Sequence, residues 1–254
     1  MSIKRYRLLP FLLLFIAGFN GCKKQDVPVG VIPPDGLIAL SFDDAYVDNW
    51  YAHLSLLDSL GIKATFYISS YHTLNNVQKQ KLRTIEAHGN EIAYHTTNHS
   101  NLLKQYGKSS MRYVLDTEIK PDLRLMNNDG FNPENFAYPY GQHDPYLDRQ
   151  LFIYFKSLRA VCNPKNYDKS LVKQSKEGQV FYSPRIDASS KITDEQIKNL
   201  LELARNNHNC VMLYAHEINS PRSNYQVTIE RLKYLSMLAK TYNLQFVRVA
   251  EMTR

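Results

Sequence analysis

From Gly36 onward, short apolar runs of strand length alternate with segments in which apolar residues recur every three or four positions. The strand-length runs lie at 37–42, 64–68, 91–94, 136–138, 158–162, 180–182, 211–214 and 244–249. Helical patterns lie at 47–60, at 77–87, within 108–126, near 144–155, from Thr193 onward and at 225–241. Repeated strand–helix units predict an α/β fold with a parallel sheet. About seven strands favour a closed or incomplete (β/α) barrel over a doubly wound sheet.

The first 21 residues have the features of an export signal. Lys4, Arg5 and Arg7 precede an apolar stretch over 8–19, which is short for a transmembrane helix of ~20 apolar residues. The small residue Gly21 stands directly before Cys22, as in the cleavage sites of bacterial lipoproteins. We therefore expect a lipoprotein-type signal peptide over 1–21 and an exported protein anchored to a bacterial membrane through a lipidated Cys22. An ordinary secreted protein with an incidental cysteine is the alternative.

The polar and proline-rich stretch 22–36 predicts a lipid-anchored tether, and residues 37–254 predict one folded domain. The net charge of +7 falls to +4 from residue 22 onward, where 28 Lys and Arg oppose 24 Asp and Glu. That excess is too small to indicate nucleic-acid binding, and nothing in the sequence points to an obligate protein partner. Cys162 and Cys210 are too few for a disulfide framework. A single disulfide bond between these two residues is possible in an exported protein, but we favour two buried free thiols.

Residues with chemical potential stand directly after the predicted strands, where parallel α/β folds bind ligands. They are Asp43 and Asp44, His95 and His99, the segment 138–141, Arg185 and Asp187, and Tyr214 and His216. One carboxylate and two neutral imidazoles suit Zn²⁺ or a similar divalent ion and leave positions open for water and substrate. Each pair alone has an ordinary explanation, as a helix cap or a solvated loop. Together, at separate strand ends, they favour a metal centre.

Four ordered motifs resemble those of the polysaccharide deacetylases of carbohydrate esterase family 4. They are Ser41-Phe42-Asp43-Asp44, His95-Thr96-Thr97-Asn98-His99, Tyr138-Pro139-Tyr140-Gly141 and the late His216, and the resemblance covers about residues 37–250. It implies a distorted (β/α) barrel and the removal of N-acetyl groups from a carbohydrate. The polymer stays open among peptidoglycan, exopolysaccharide, chitin-like and host glycans.

The resemblance also implies a role for each matched residue. Asp44, His95 and His99 would bind the divalent metal, most often zinc, with cobalt or manganese in some members. Asp43 would be the general base that takes a proton from metal-bound water, and His216 the general acid that protonates the leaving amine. The backbone N–H of Tyr140 would stabilise the oxyanion.

Two positions depart from the family pattern. Ala137 stands where the third motif has an arginine that orients the catalytic aspartate, and we expect Arg185 to reach Asp43 in its place. A surface salt bridge is the other interpretation of Arg185. Tyr214 replaces the leucine that lines the acetyl pocket. Both departures resemble a Tyr-Pro-Tyr-Gly branch, which includes exported enzymes that act on poly-N-acetylglucosamine.

The sequence therefore predicts a metal-dependent carbohydrate N-deacetylase. Two alternatives remain open. One is an inactive carbohydrate-binding protein on the same fold, which the missing arginine at Ala137 motivates. The other is a metal hydrolase of a different amide or of an ester.

Overall fold

A computed structural model describes residues 34–173 and 176–253 of the chain. The predicted signal peptide, Cys22 and most of the predicted tether lie outside the described residues. The first strand begins at Gly36, and just before it the Asp35 N–H donates a hydrogen bond of 2.8 Å to the carbonyl of Asn243. A side chain at Gly36 would place its Cβ 2.8 Å from the carbonyl oxygen of Ala204, so close packing requires glycine there.

The described residues form strands and helices in alternation. The strands are β1 Gly36–Asp44, β2 Ala64–Ile68, β3 Glu91–Tyr94, β4 Asn135–Ala137, β5 Ser157–Val161, β6 Leu171–Val172, β7 Gln179–Ser183, β8 Cys210–Ala215, β9 Glu217–Ile218, β10 Gln226–Val227 and β11 Leu244–Phe246. The helices are α1 Val47–Ala52, α2 Leu54–Ser59, α3 Asn76–Ala87, α4 Leu102–Tyr106, α5 Met111–Val114, α6 Lys120–Asn128, α7 Pro145–Leu151, α8 Asp194–Asn207, α9 Ile229–Thr241 and α10 Val249–Met252.

The main sheet confirms the predicted barrel. Its strand order is β6-β8-β1-β2-β3-β4-β5-β7, with β11 on the first residues of β1, and all pairs are parallel except β6 with β8. The segment after β7 returns to β8, because Tyr214 N–H donates to the Pro184 carbonyl and Ile186 N–H donates to the Tyr214 carbonyl. These bonds nearly close the ring, so the carboxyl ends of the strands face one common mouth.

Burial and capping explain the elements that the sequence predicted well. Seven of the nine residues of β1 are buried, because β2 and β8 flank this strand along its length. Thr193 caps α8 and accepts a hydrogen bond from Gln196 N–H, while the Gln196 side chain accepts one from Thr193 N–H. Asn75 and Gln78 form the same capping box at the start of α3. Such boxes satisfy amide groups that a helix start otherwise leaves unpaired.

Three predicted elements are divided or shortened in the structure. The helix predicted at 47–60 is two helices that meet at His53, where the backbone leaves helical geometry. The helix predicted within 108–126 runs through α5, a π-helical turn at Leu115–Ile119 and α6. The last strand ends at Phe246, and α10 takes up Val249. Short apolar runs do not reveal such breaks, because either geometry buries them.

Cys162 and Cys210 are both buried and unpaired, as the sequence favoured. Burial raises the pKa of each thiol to about 12, so both are protonated at neutral pH and unreactive. Within residues 34–173 and 176–253, the helices are all too short or too polar to cross a membrane.

Candidate active site

A cleft of about 380 Å³ lies at the mouth of the barrel, where the carboxyl ends of the strands meet. It brings together every site residue that the sequence predicted: Asp43, Asp44, His95, His99, Tyr140, Arg185, Tyr214 and His216 all line it. Tyr46, Tyr138, Arg159, Val161 and Tyr225 complete the lining. The parallel sheet causes this convergence, since residues far apart in sequence leave neighbouring strands at one edge.

Asp44, His95 and His99 form one cluster with metal-ligand chemistry. Asp44 Oδ1 lies 3.0 Å from His99 Nε2 and 3.6 Å from His95 Nε2, and one ligand atom from each residue lies within 4.8 Å of the others. Ligands at the usual 2.0–2.1 Å from a tetrahedral zinc ion are about 3.4 Å apart. The spacing therefore fits an ion of this size.

The bonding of the three side chains also fits a divalent ion. His95 Nδ1 lies 2.7 Å from the Ala137 carbonyl, and because a carbonyl only accepts, His95 Nε2 carries a lone pair toward Asp44. Burial lowers the pKa of His95 to about 4, so its imidazole is neutral at neutral pH. Asp44 Oδ1 is buried and accepts no hydrogen bond from the described residues. A cation would satisfy this oxygen.

Burial alone would raise the pKa of Asp44, but the neighbouring histidines, His99 first, outweigh it and lower the value to about 2. The carboxylate is therefore ionised at neutral pH. An anionic carboxylate beside a neutral His95 is the donor set that zinc and similar ions prefer.

The backbone around this cluster is strained. Of the nine non-glycine residues with positive φ in the described chain, Asp44 (85°), Thr96 (73°), His99 (52°) and Tyr140 (62°) lie at or beside the site. L-residues rarely adopt this region, at a cost of order 1–3 kcal/mol each. Such residues cluster at functional sites, where the surrounding packing holds them in place.

Asp43 is held by Arg159, and this corrects the prediction for Arg185. Arg159 Nη2 donates to both carboxylate oxygens of Asp43, and both side chains are almost completely buried. Arg159 lies on β5 directly opposite Ala137 on β4. The small side chain at position 137 leaves this space open, and the guanidinium enters it from the next strand.

Two tyrosine rings enclose the Arg159 guanidinium. Its central carbon lies 4.5 Å from the ring centroid of Tyr214 and 5.3 Å from that of Tyr67. Tyr214, predicted at the acetyl pocket, is therefore 7% exposed and packs on the partner of Asp43. Burial lowers and the neighbouring Asp43 raises the pKa of Arg159, with a net rise, so the guanidinium stays charged.

Arg185 contacts a different carboxylate. Its Nε is 3.5 Å from Asp187 Oδ2, and its guanidinium lies 5.0 Å from the ring centroid of Tyr225. Arg185 follows β7 where the chain returns to β8, and its backbone forms a parallel bridge with Tyr214. The carboxylate of Asp43 is already paired with the guanidinium of Arg159.

His216 is held by Asp187. His216 Nδ1 lies 2.6 Å from Asp187 Oδ2, and His216 N–H donates to Asp187 Oδ1 at 3.2 Å. Burial alone would lower the pKa of His216, but the hydrogen bond to Asp187 and the charge of Asp43 outweigh it and raise the value. The ring is 12% exposed and reaches the cleft. A histidine with this pKa can hold a proton at neutral pH and release it to a ligand.

Tyr140 lines the cleft with an exposed side chain, as does Tyr225. Its side chain is 64% exposed, and its ring centroid lies 5.0 Å from that of His99. Gly141 fixes its position: a Cβ there would lie 2.4 Å from Val161 Cγ2, and φ is 69°. Tyr225 is 50% exposed, with its ring centroid 5.3 Å from that of His216. Exposed rings on two sides of a polar cleft suit the apolar faces of a sugar.

Sequence reasoning missed Arg159 and Tyr225 and left the role of Asp187 open. Arg159 carried a signal, since an arginine in the middle of the apolar run 157–161 must find a buried partner. Trp50 is a fully buried core residue, and its indole N–H also donates at 2.7 Å to the His216 carbonyl. Nothing in its local pattern marks that contact.

The described fold is that of the family 4 carbohydrate esterases. An esterase of this family from Streptomyces lividans, in complex with acetate, aligns with a TM-score of 0.56 and 14% identity over 84% of this chain and 92% of its own. A family 4 acetyl xylan esterase from Clostridium thermocellum, in complex with a cobalt ion, aligns with a TM-score of 0.51 and 19% identity over 85% of this chain and 89% of its own.

The sequence is similar to a family as well. Residues 30–151, just under half of the chain, match the profile of the family described as "Polysaccharide deacetylase". A curated protein of Arthroderma benhamiae, "Probable peptidoglycan-N-acetylglucosamine deacetylase", is 25% identical over 136 residues, which are 52% of this chain. The chain spans 30% of the length of that relative.

Proposed function

We propose that this protein is a divalent metal-dependent hydrolase that removes N-acetyl groups from a carbohydrate containing N-acetylglucosamine. The observation that carries the proposal is the single cleft in which the Asp44, His95 and His99 cluster faces two differently held proton-transfer groups, Asp43 and His216. The family match supports the reaction class. The name of the Arthroderma benhamiae relative supports the carbohydrate.

Asp44, His95 and His99 would hold the ion, and zinc suits this donor set best, with cobalt or manganese as alternatives. When bound, such an ion polarises an acyl carbonyl and lowers the pKa of its bound water toward ~7. The proton transfers would be carried out by side chains of the protein. Asp43, fixed by Arg159, would accept the proton of the attacking water.

His216 would complete the reaction by protonating the leaving amine. Asp187 keeps this imidazole oriented and protonated, which a general acid requires. The Tyr140 N–H would donate to the developing oxyanion, a contribution of ~10²–10³-fold for one donor in other enzymes. Arg185 would position His216 by way of Asp187. Tyr214 would do the same for Asp43 through Arg159, and it also lines the cleft where the acetyl group would lie.

We also propose that the protein is exported and anchored through a lipidated Cys22, and that it belongs to the Tyr-Pro-Tyr-Gly branch. The charged and apolar order of residues 1–21, the Gly21-Cys22 pair and the Tyr138-Pro139-Tyr140-Gly141 motif support this. Its partners would be the carbohydrate and the membrane. Metabolic labelling with a fatty acid and comparison with Cys22→Ser test the anchor.

Release of acetate from N-acetylglucosamine oligomers tests the reaction. The protein from about residue 25 is stripped of metal with a chelator, assayed, and assayed again after zinc or cobalt is restored. We expect release only with metal. No release with any metal, despite stoichiometric metal binding, would contradict the proposal and favour the inactive carbohydrate-binding alternative.

The second alternative, hydrolysis of another bond, is tested by comparing substrates with different acyl linkages. The Clostridium thermocellum structure is that of an acetyl xylan esterase, so O-acetylated xylan oligomers and simple acyl amides are assayed beside the N-acetylated sugars. A kcat/KM higher for the O-acetyl ester would overturn the assignment of an amide bond.

A further inference from the structure

The catalytic cleft opens into a larger groove on the side of Tyr140. This groove, which we call the lysine arm, has a volume of about 760 Å³ and shares His99 and Tyr140 with the cleft. Its other lining includes Asn101, Lys104, Gln105, Lys108 and Gln142. A space of this size, open to the cleft, accommodates sugar residues next to the one that reacts.

A smaller groove also adjoins the cleft. It has a volume of about 260 Å³ and shares Val161, Arg185 and Tyr214 with the cleft. Lys191 is its other cationic lining residue, beside Ser189 and Ser190. Both grooves share lining residues with the cleft, and we call the cleft and the two adjoining grooves together the trough, with the grooves as its arms.

Acidic and basic residues are unevenly distributed between the cleft and the two arms. Among the described residues, the carboxylates that line the trough are Asp43 and Asp44 in the cleft, and neither arm has an acidic lining residue. In the described residues, the ammonium groups of Lys104, Lys108 and Lys191 have no carboxylate within 4.0 Å, whereas Lys63 and Lys156 form ion pairs elsewhere on the surface. A concave wall with charge of one sign raises the local concentration of the opposite charge.

The wall of the lysine arm is held in place from behind by a buried acid. Glu118 is 2% exposed, and its carboxylate accepts hydrogen bonds from Asn98 N–H at 3.0 Å and Ser100 Oγ at 2.7 Å. The Asn101 amide donates at 2.8 Å to Gln142 across the arm. Glu118 thus fixes the loop that carries Ser100, and its own carboxylate is buried and is not among the residues that line the arm.

We propose that the two arms bind an acidic glycan, in which sugars that flank the N-acetylated residue carry anionic groups. This inference rests on the proposed function, because it names the substrate class of the same cleft. A neutral polymer would leave three lysines in the trough without a partner, while a carboxylate or phosphate on the flanking sugars would pair with them. Lys104 lies on α4 and Lys108 just beyond its end, and both line the same arm.

The test compares substrates of equal length that differ only in charge. Neutral N-acetylglucosamine oligomers are assayed beside oligomers that alternate N-acetylglucosamine with a uronate, and beside an N-acetylated oligomer with phosphate groups. We expect kcat/KM to be at least ~5-fold higher for one acidic series, mainly through KM, and this advantage to shrink as salt screens the charges. Equal values for all three series would overturn the inference. The better acidic series identifies the anion.

Charge-removing variants locate the effect. Lys104→Gln with Lys108→Gln should lower kcat/KM for the acidic series by ~3- to 10-fold and leave the neutral series unchanged. The matched control is Lys233→Gln with Lys240→Gln, which removes the same charge from exposed positions on α9, away from the trough. An equal loss for both series, or an equal loss in the control, would contradict binding in the arm.

Equilibrium binding separates this inference from the proposed function. If the protein releases no acetate from any oligomer, titration calorimetry with the same three series still measures preference for an acidic chain. Tighter binding of an acidic series, lost in the Lys104 and Lys108 variant, would support the inference while the deacetylase proposal fails. Turnover without any charge preference would support the deacetylase proposal and contradict the inference about acidic glycans.

Discussion

The two halves of the barrel contribute differently to the cleft. The first half, through β4 and the turn at Tyr140, supplies the metal-type cluster and Asp43. The second half, from β5 to β8, supplies Arg159, Asp187 and His216. The family profile matches residues 30–151 and ends before this second set. The two halves also differ in bonding. Asp44 Oδ1 in the first half accepts no hydrogen bond from the described residues, whereas the second half supplies buried, charged partners, Arg159 for Asp43 and Asp187 for His216.

This difference indicates that the two halves have different functions in the site. The first half leaves polar atoms open, as a site for an ion requires, because a ligand atom tied up in the protein binds metal poorly. The second half holds two proton-transfer groups in opposite states. A base must be ionised and an acid must be protonated, and Arg159 and Asp187 provide the charges that favour those states. Variants in each half should therefore fail in different ways.

The largest effect is expected from the cluster in the first half. His99→Ala removes one of three ligands, so we expect loss of bound metal and activity no higher than that of the metal-stripped protein. Metal content by mass spectrometry and acetate release check this. His88→Ala, at a histidine paired with Asp58 on the surface, is the control. Full activity of His99→Ala with bound metal would remove His99 from the ligand set.

Asp43→Asn should separate chemistry from metal binding. The amide keeps the shape but cannot accept the proton, so kcat should fall by ~10²–10⁴-fold while metal content is unchanged. Asp48→Asn, an exposed acid on α1, should leave kcat unaltered. A normal kcat in Asp43→Asn would exclude this residue as the base.

Arg159→Met tests the corrected partner of Asp43. The substitution leaves a buried carboxylate without its counter-charge, so the free energy of unfolding should fall by about 3–5 kcal/mol. Denaturant unfolding measures this loss. Arg185→Met is the matched comparison and should cost clearly less, since Arg185 is 27% exposed and Asp187 keeps its contact with His216. The reverse order of the two losses would restore Arg185 as the more important partner.

The smallest effect is a shift along the pH axis. Asp187 raises the pKa of His216, so the acid form persists to higher pH, and activity is lost as pH rises through that pKa. In Asp187→Asn this alkaline limb of the kcat profile should move to lower pH. Asp194→Asn, at an exposed acid paired with Arg231, should leave the limb in place. An unchanged limb in Asp187→Asn would mean that another group sets it.

The sequence predicted much of the first half and less of the second. Asp43, Asp44, His95 and His99 stand in short local motifs directly after strands, and local order is what a sequence displays. Arg185 was the wrong partner for Asp43 because the choice depended on which strand lies beside β4. The register of Ala137 opposite Arg159 decides it, and strand order is not written in any local pattern.

The sequence alone determined the alternation of strands and helices, the burial of the strands and the chemical identity of the groups at their ends. Those properties follow from the period of apolar residues and from side-chain chemistry, which are local. Only the tertiary structure decided which groups share a buried pair, as with Asp43 and Arg159, 116 residues apart. A buried charge must find its partner across the sheet, and closure of the barrel sets which side chain is within reach.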